Sequence, residues 1–209
     1  MKIYGLPTSS CTLKVLMVLG EKGREAELVP VDLGKGAHKE AAHLKLHPFG
    51  VIPVLDDDGF MLYESRAIAR YLDQKLPGTA LVPADVKATA RMEQWISVEQ
   101  SYLTPPMLTL VHQRFLGPMH GKSPDEAVVA RALEDADKAL RVADQALAAQ
   151  EYFAGGTFSL ADVFWMPCIQ HLYLAQAGDL VANNRHVATW WKNVTSRKAW
   201  LQVSAPRNN

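Results

Sequence analysis

Two stretches carry residue types that can hold a small ligand: His47-Pro48-Phe49-Gly50-Val51-Ile52-Pro53-Val54-Leu55 and Leu62-Tyr63-Glu64-Ser65-Arg66-Ala67-Ile68. Gly50 and Pro53 bracket a turn, and the residues after Pro53 read as a short strand. Ile52-Pro53 is an X-Pro bond, where the cis form costs only about 0.5–1 kcal/mol. A cis bond there would turn the Ile52 backbone outward and leave its N–H and C=O to an extended ligand. Asp56-Asp57-Asp58-Gly59 reads as a hairpin turn, because Asp and Gly tolerate the positive φ it needs. The second strand, Met61 to Tyr63, runs into a helix opening at Ser65, with Ala67, Ile68, Tyr71 and Leu72 at helical spacing. A hydroxyl and free N–H groups at a helix N-terminus attract a carboxylate. The expected ligand is peptide-like, its backbone on Ile52 and its carboxylate on Ser65.

The pair of motifs resembles the glutathione-site signature of the glutathione transferases, Asn-Pro-Phe-Gly-Gln-Val-Pro followed by Glu-Ser-Arg-Ala-Ile. It stands here as His47-Pro-Phe-Gly-Val-Ile-Pro53 and Glu64-Ser-Arg-Ala-Ile68. The resemblance implies that His38 and Lys39 meet the glycyl carboxylate of glutathione, that Ile52 pairs with its backbone, and that Glu64 and Ser65 hold its γ-glutamyl end. Val51 departs from the usual glutamine, so one side-chain amide contact is lost and weaker glutathione binding follows. Ser9 aligns with the catalytic serine of the phi class, whose hydroxyl donates to the glutathione sulfur. A thiol ionises near pH 8.5 unaided, so it needs a depression of about one unit, roughly 1.4 kcal/mol. A nearby donor and a helix N-terminus supply that. Ser10 is expected to cap the helix while Ser9 faces the ligand.

Other chemistry-bearing residues have plainer readings. Cys11 falls on the apolar stripe with Val15, Val18 and Leu19 and reads as a buried packing cysteine, as does Cys168. His43 and His47 stand four apart, a metal-ligand spacing, yet lack a third ligand and read as surface histidines. Leu6, Met107, Val111, His112, Phe115 and Trp165 are candidates for an apolar second-substrate pocket, with Leu108, Met119 and His171 beside them. Ser9-Ser10-Cys11-Thr12 also resembles the Ser-Ser-Cys turn of zeta-class glutathione-dependent isomerases.

The elements that must position these residues begin with a strand over Lys2 to Gly5. A helix ending at Gly23 follows, then a strand over Glu27 to Leu33, together a βαβ unit. Lys39 to Leu46 is a weak helix. Pro77-Gly78 closes this α/β domain, expected over 1–78, and 79–87 is a linker. The span 88–209 reads as all helix. It includes Ala90 to Leu116, bent at Pro105-Pro106, and a seam of Val129, Leu133, Ala136, Leu140, Ala143 and Leu147. Ser123-Pro124-Asp125-Glu126 and Ser159-Leu160-Ala161-Asp162 read as capping boxes. Trp190, Trp191, Val194, Trp200 and Val203 form a final cluster. The order resembles the thioredoxin-like N-terminal domain and all-α C-terminal domain of the transferases, phi class in most of its length.

Lysine plus arginine equals aspartate plus glutamate, 22 each, which argues against a nucleic-acid or anionic-membrane partner. Met1-Lys2-Ile3-Tyr4 enters a strand directly, so no leader is expected, and two cysteines make no disulfide framework. A cytoplasmic enzyme of detoxification is expected, with glutathione as cosubstrate, no cofactor, no metal, and a hydrophobic electrophile as second substrate. A homodimer through Met61, Tyr63, Met92 and Trp95 is expected from the resemblance. The alternatives are a glutathione-dependent isomerase or thiol reductase, suggested by Ser9-Ser10-Cys11, and a non-catalytic protein of the same fold, suggested by Val51.

Overall fold

The computed structural model describes residues 1–205. They form two compact units, Met1–Leu81 together with the chain from Arg197 on, and Val82–Ser196.

The first unit holds a four-stranded sheet in the order β2-β1-β3-β4. Its strands are β1 Lys2–Gly5, β2 Glu27–Pro30, β3 Val54–Asp57 and β4 Phe60–Tyr63. β1 and β2 run parallel, joined through helix α1 (Ser10–Glu21); β3 is antiparallel to both β1 and β4. α1 ends as expected: Gly23 adopts φ 61°, with Arg24 N–H on Leu19 O at 2.9 Å and Gly23 N–H on Gly20 O at 3.0 Å. Glycine bears this left-handed turn without a Cβ clash. β2 stops at Pro30, three residues short of the expected end, because the chain then turns on Asp32, whose carboxylate accepts the Lys35 amide at 3.0 Å. The weak helix divides into a 3-10 turn, Ala37–Lys39, and one turn of α2, Ala41–Leu44, parted by the extended backbone of Glu40. α3 spans Ser65–Lys75.

Ile3, Val15, Met17, Val18, Leu55, Ile68 and Leu72 are enclosed between sheet and helices. Two carboxylates lock the frame. Asp57, at the end of β3, accepts the Tyr71 hydroxyl at 2.5 Å and pairs with Lys75, tying α3 to the hairpin; the Lys75 ammonium holds its carboxyl below the usual range. Asp73 meets Lys22 at 2.7 Å with both side chains buried. Lys22 also donates to Thr79 O at 2.8 Å, and Asp73 accepts the Leu81 amide at 2.8 Å. Removing one partner of such a buried pair typically costs about 3–5 kcal/mol.

The second unit contains α4 Val86–Val98, α5 Thr104–Val111, α6 Gly117–Met119, α7 Glu126–Leu147, α8 Leu160–Leu174, α9 Gly178–Asn183 and α10 Arg185–Thr195. α4, α5 and α6 follow one another through π-helical segments at Glu99–Leu103 and His112–Leu116. The first of these lies just before Pro105-Pro106, where a bend is expected: Thr104 N–H reaches back to Glu99 O, and the prolines fall in the first turn of α5. α7 is capped by Asp125, whose carboxylate accepts the Ala127 and Val128 amides at 3.0 and 3.2 Å, rather than by Ser123. Its buried seam is the expected one except that Ala132 and Ala139 join it and Leu133 is only half-buried. The box at Ser159–Asp162 forms as expected, with the Ser159 amide 2.9 Å from Asp162.

Three expectations need correction. The helical unit ends at Ser196, not at 209, because Arg197 turns back to pair with Glu21 through two bonds of 2.8 and 2.7 Å. The last helix, α11 (Lys198–Ser204), packs on α1, where a Cβ on Gly20 would stand 3.0 Å from that of Ala199. Residues 206–209 of the expected span lie outside the described residues. The final tryptophan cluster is accordingly divided, Trp190 and Val194 in α10, Trp200 and Val203 in α11. Met92 and Trp95, expected on a dimer face, are buried in the second unit, where Trp95 lies 4.9 Å from Phe153 and 5.8 Å from Trp165.

Asp162 is fully buried, and burial pushes its carboxyl up to about 6 against the bonds from Trp190, Phe153 and Ser159 that favour the charged form. Its folded pKa lies above the unfolded value of 3.8, so its contribution to stability is complete below about pH 4 and declines as pH rises through 6. A carbon-13 NMR titration should place the Asp162 carboxyl midpoint near 6; a midpoint near that of free aspartate, about 4, would contradict this.

Candidate functional site

The sheet register builds the site. Val54 pairs with Tyr4 on one side and with Tyr63 on the other. One residue further, the chain is at Gly5 in β1, Pro53 before β3 and Glu64 after β4. The turn to α1, the proline loop and the start of α3 therefore leave the sheet at one edge. The Ile52-Pro53 peptide is cis, as expected. Among the described residues the Ile52 N–H and C=O have no hydrogen-bond partner, as an edge waiting for an extended chain would be.

The loop is held from beneath. Gly50 adopts φ 60°, its amide donating to His47 O at 2.8 Å. A Cβ on Gly50 would stand 2.7 Å from His38 O and 3.0 Å from Lys39 Cδ, so the 3-10 turn lies directly against this glycine. Lys39 Nζ donates to Phe49 O at 3.1 Å, and His43 Nε2 bonds Val51 O at 2.8 Å. His38 and Lys39 are thus brought to the loop. His38 Nδ1 is buried with no partner among the described residues, whereas Lys39 is exposed. Val51 is exposed, its side chain free of the loop's own bonds.

Glu64 precedes α3 with φ 71° and ψ 109°, a conformation that costs a non-glycine residue on the order of 1–3 kcal/mol. Such an outlier persists only where its surroundings impose it. Here it turns Ser65 inward, 4% exposed at the head of α3, and leaves the Glu64 carboxylate in solvent. Ser65 Oγ has no partner among the described residues, and the first amides of α3 point the same way.

At the end of β1, Ser9 rather than Ser10 caps α1. Its Oγ accepts the Thr12 amide at 3.4 Å, and its own amide donates to Leu6 O at 3.1 Å. Ser10 is the first helical residue and is buried. The cap expected of Ser10 is therefore made by Ser9, whose hydroxyl, accepting in the cap, still has its proton to give. Cys11 is half-buried rather than packed away, since the first turn of α1 lies at the sheet edge before the helix enters the core.

His43 and His47 are not surface residues. Both are buried under the loop, His47 with its ring 4.6 Å from that of Tyr63. Burial holds the His47 pKa below its ordinary value, His43 and Lys39 add to this, and Glu64 opposes it. These two are the supporting residues that sequence reasoning passed over; their i, i+4 spacing just before the motif was the available signal.

The candidates for an apolar pocket fall in both units and differ in exposure. Leu6 lies in the first unit, half-buried. In the second, Met107, Val111 and Trp165 are buried, Phe115 is half-buried and His112 is exposed. Trp165 is core: its indole N–H donates to Trp95 O at 3.0 Å and Phe153 lies 4.5 Å away.

Residues 1–74 match the model of the glutathione S-transferase N-terminal domain, and residues 100–198 that of the C-terminal domain. The chain is similar to glutathione S-transferase 3 of Zea mays, 41% identical, the match covering 98% of this chain and 93% of that one. Among solved structures it is similar to glutathione transferase F7 from Populus trichocarpa, 37% identical with a TM-score of 0.92 over 97% of each chain. It is also similar to glutathione S-transferase I from mais in complex with an atrazine glutathione conjugate, 30% identical with a TM-score of 0.89 over 97% of this chain and 95% of that one.

Gly50→Ala tests the support of the loop. It adds a left-handed penalty of about 1–2 kcal/mol to the approach of His38 O. The urea midpoint should fall accordingly with an unchanged slope, and a variant as stable as the parent would show that the loop is not held this way.

Proposed function

The chain belongs to the glutathione S-transferase family, and from that premise we propose that it binds glutathione in the first unit, ionises its thiol and directs the sulfur onto an apolar electrophile. The observation that carries this is the unpartnered Ile52 backbone beside Ser65 at the head of α3, with Ser9 at the head of α1 on the same sheet edge. The cysteinyl backbone of glutathione pairs with Ile52. Ser65 Oγ and the first amides of α3 take the γ-glutamyl carboxylate, and Glu64 takes the adjacent ammonium. His38 and Lys39 face the glycyl carboxylate. The Ser9 hydroxyl donates to the sulfur, and the N-terminus of α1 adds its positive end. The proton leaves to solvent. The thiolate then forms a carbon–sulfur bond as the leaving group departs with its electron pair. A conjugate of this kind, atrazine joined to glutathione, is what the mais relative holds.

Glutathione is consumed, so the reading needs no further cofactor. Two free cysteines suit a reducing compartment, and no described helix is long and apolar enough to cross a membrane; we place the protein in the cytoplasm, with a role in detoxification. The half-buried Cys11, two residues past Ser9, favours a second reading, glutathione-dependent isomerisation or thiol exchange.

Ser9→Ala separates the two. The variant loses a cap worth about 1 kcal/mol and a donor to the sulfur. Conjugation of a generic aryl halide should slow tenfold or more, at roughly 1.4 kcal/mol per tenfold, and its pH profile should move to higher pH. Cys11→Ala should leave turnover nearly intact. Loss confined to Cys11→Ala would move the protein to cysteine chemistry.

We also infer a homodimer. Phe49, Phe60, Met61 and Tyr63 expose an apolar face around the edge strand β4, and a symmetric pair would cover it. Sedimentation at micromolar concentration should give twice 23.1 kDa; a species of single-chain mass at every concentration would rule this out.

A further inference from the structure

His43 and His47 lie under the loop, outside the contacts assigned to glutathione, and they are joined to it differently. A carbonyl oxygen can only accept, so the 2.8 Å contact between His43 Nε2 and Val51 O places the proton on Nε2. That bond fixes the peptide immediately before Ile52. His47 is 1% exposed. Its amide donates to His43 O at 2.9 Å and its carbonyl accepts the Gly50 amide, so its backbone forms the first corner of the loop. Its ring lies 4.6 Å from Tyr63, tilted 36°, and 6.2 Å from Phe49, edge-on. Its Nδ1 is buried with no hydrogen-bond partner among the described residues.

We propose that His43 and His47 are positioning residues for glutathione: His43 pins the Val51 peptide, a neutral His47 ring holds the Pro48–Pro53 loop in its binding shape, and a proton taken up by His47 loosens that hold and sets a cation against Glu64. The proposal rests on the glutathione reading of this site. A neutral ring leaves Nδ1 with an uncharged polar atom out of contact, a modest cost. A protonated ring would bury a charged N–H with no acceptor, which is far more expensive. The groups around His47 are Tyr63 from β4, Glu64 at the start of α3, His43 from α2 and Lys39 from the 3-10 turn. Burial, His43 and Lys39 all resist the proton, and Glu64 alone favours it. A proton that does enter is drawn toward Glu64, the carboxylate needed by the γ-glutamyl ammonium. Proton and glutathione thus compete, and linkage requires the competition to be reciprocal.

The test measures affinity for S-methylglutathione, whose sulfur carries no proton to titrate, by calorimetry on the full chain at pH 7.0 and pH 5.0. The wild type should bind at least fivefold more weakly at the lower pH. In His47→Asn and His47→Gln the ratio of the two affinities should stay below twofold, whatever their values at pH 7.0. Proton NMR of the wild-type imidazole provides the same answer without a variant: saturating glutathione should lower the His47 midpoint, by one pH unit for each tenfold of competition. A midpoint that glutathione does not move overturns the proposal. So does an equal loss of affinity in wild type and variants, while binding at pH 7.0 would leave the glutathione reading standing. Absence of binding by the wild type at pH 7.0 overturns that reading and this proposal together.

Discussion

The site depends on the register of one short strand. β3 lies between β1 and β4, and its first residue, Val54, is opposite Tyr4 and Tyr63 at once. A slip of one residue on either side would turn alternate side chains to the wrong face and separate the three chain segments that leave this edge. The surrounding structure can be understood as protection of that register. Asp57 ties the far end of the β3–β4 hairpin to Tyr71 and Lys75 on α3. Asp73, further along the same helix, is fastened to α1 through Lys22. The loop before Val54 is braced by Lys39, His43 and the bare Cα of Gly50. None of these contacts needs to touch a ligand to decide where it would lie.

Both helices that begin at this edge present their N-termini to it. Their unsatisfied amides are the cheapest positive potential a fold can offer, because no side chain must be ordered to provide it. Their caps differ in a way that suits separate tasks. α1 is capped by Ser9, which keeps a hydroxyl proton. α3 follows Glu64, whose side chain makes no cap bond, so the Ser65 hydroxyl and the helix amides stay open. In the second unit the same physical device is closed off: the carboxylate of Asp162 receives the Ser159 and Phe153 amides and the Trp190 indole, and is spent on folding.

Much of this was legible in the residues. The proline loop, the hairpin, the helix at Ser65, the Gly23 stop and the Ser159–Asp162 box depend on local chemistry, and local chemistry is written in short windows. What failed to show depends on contacts between distant segments. His43 and His47 look like surface residues until Tyr63 and Val51 close over them. Trp200 and Trp190 look like one cluster until Arg197 finds Glu21. Ser9 and Ser10 were separable only by where α1 begins, at Ser10, which leaves Ser9 in the cap. Trp165 looked available to a substrate because an isolated aromatic carries no sign of the tryptophan and phenylalanine rings that surround it.

α11 has a consequence for the order in which the chain can mature. The first unit occupies the beginning of the sequence, yet its wall at Gly20 is completed by Ala199 and its rim at Glu21 by Arg197. On the ribosome, where chains emerge at about 5–20 residues per second, the sheet and α1 are synthesised well before the segment that covers them. The apolar strip of α1 facing Ala199 must stay exposed until the rest of the chain has been made. The unit made first is therefore the one finished last, and the interval between the two is when a chaperone has something to hold.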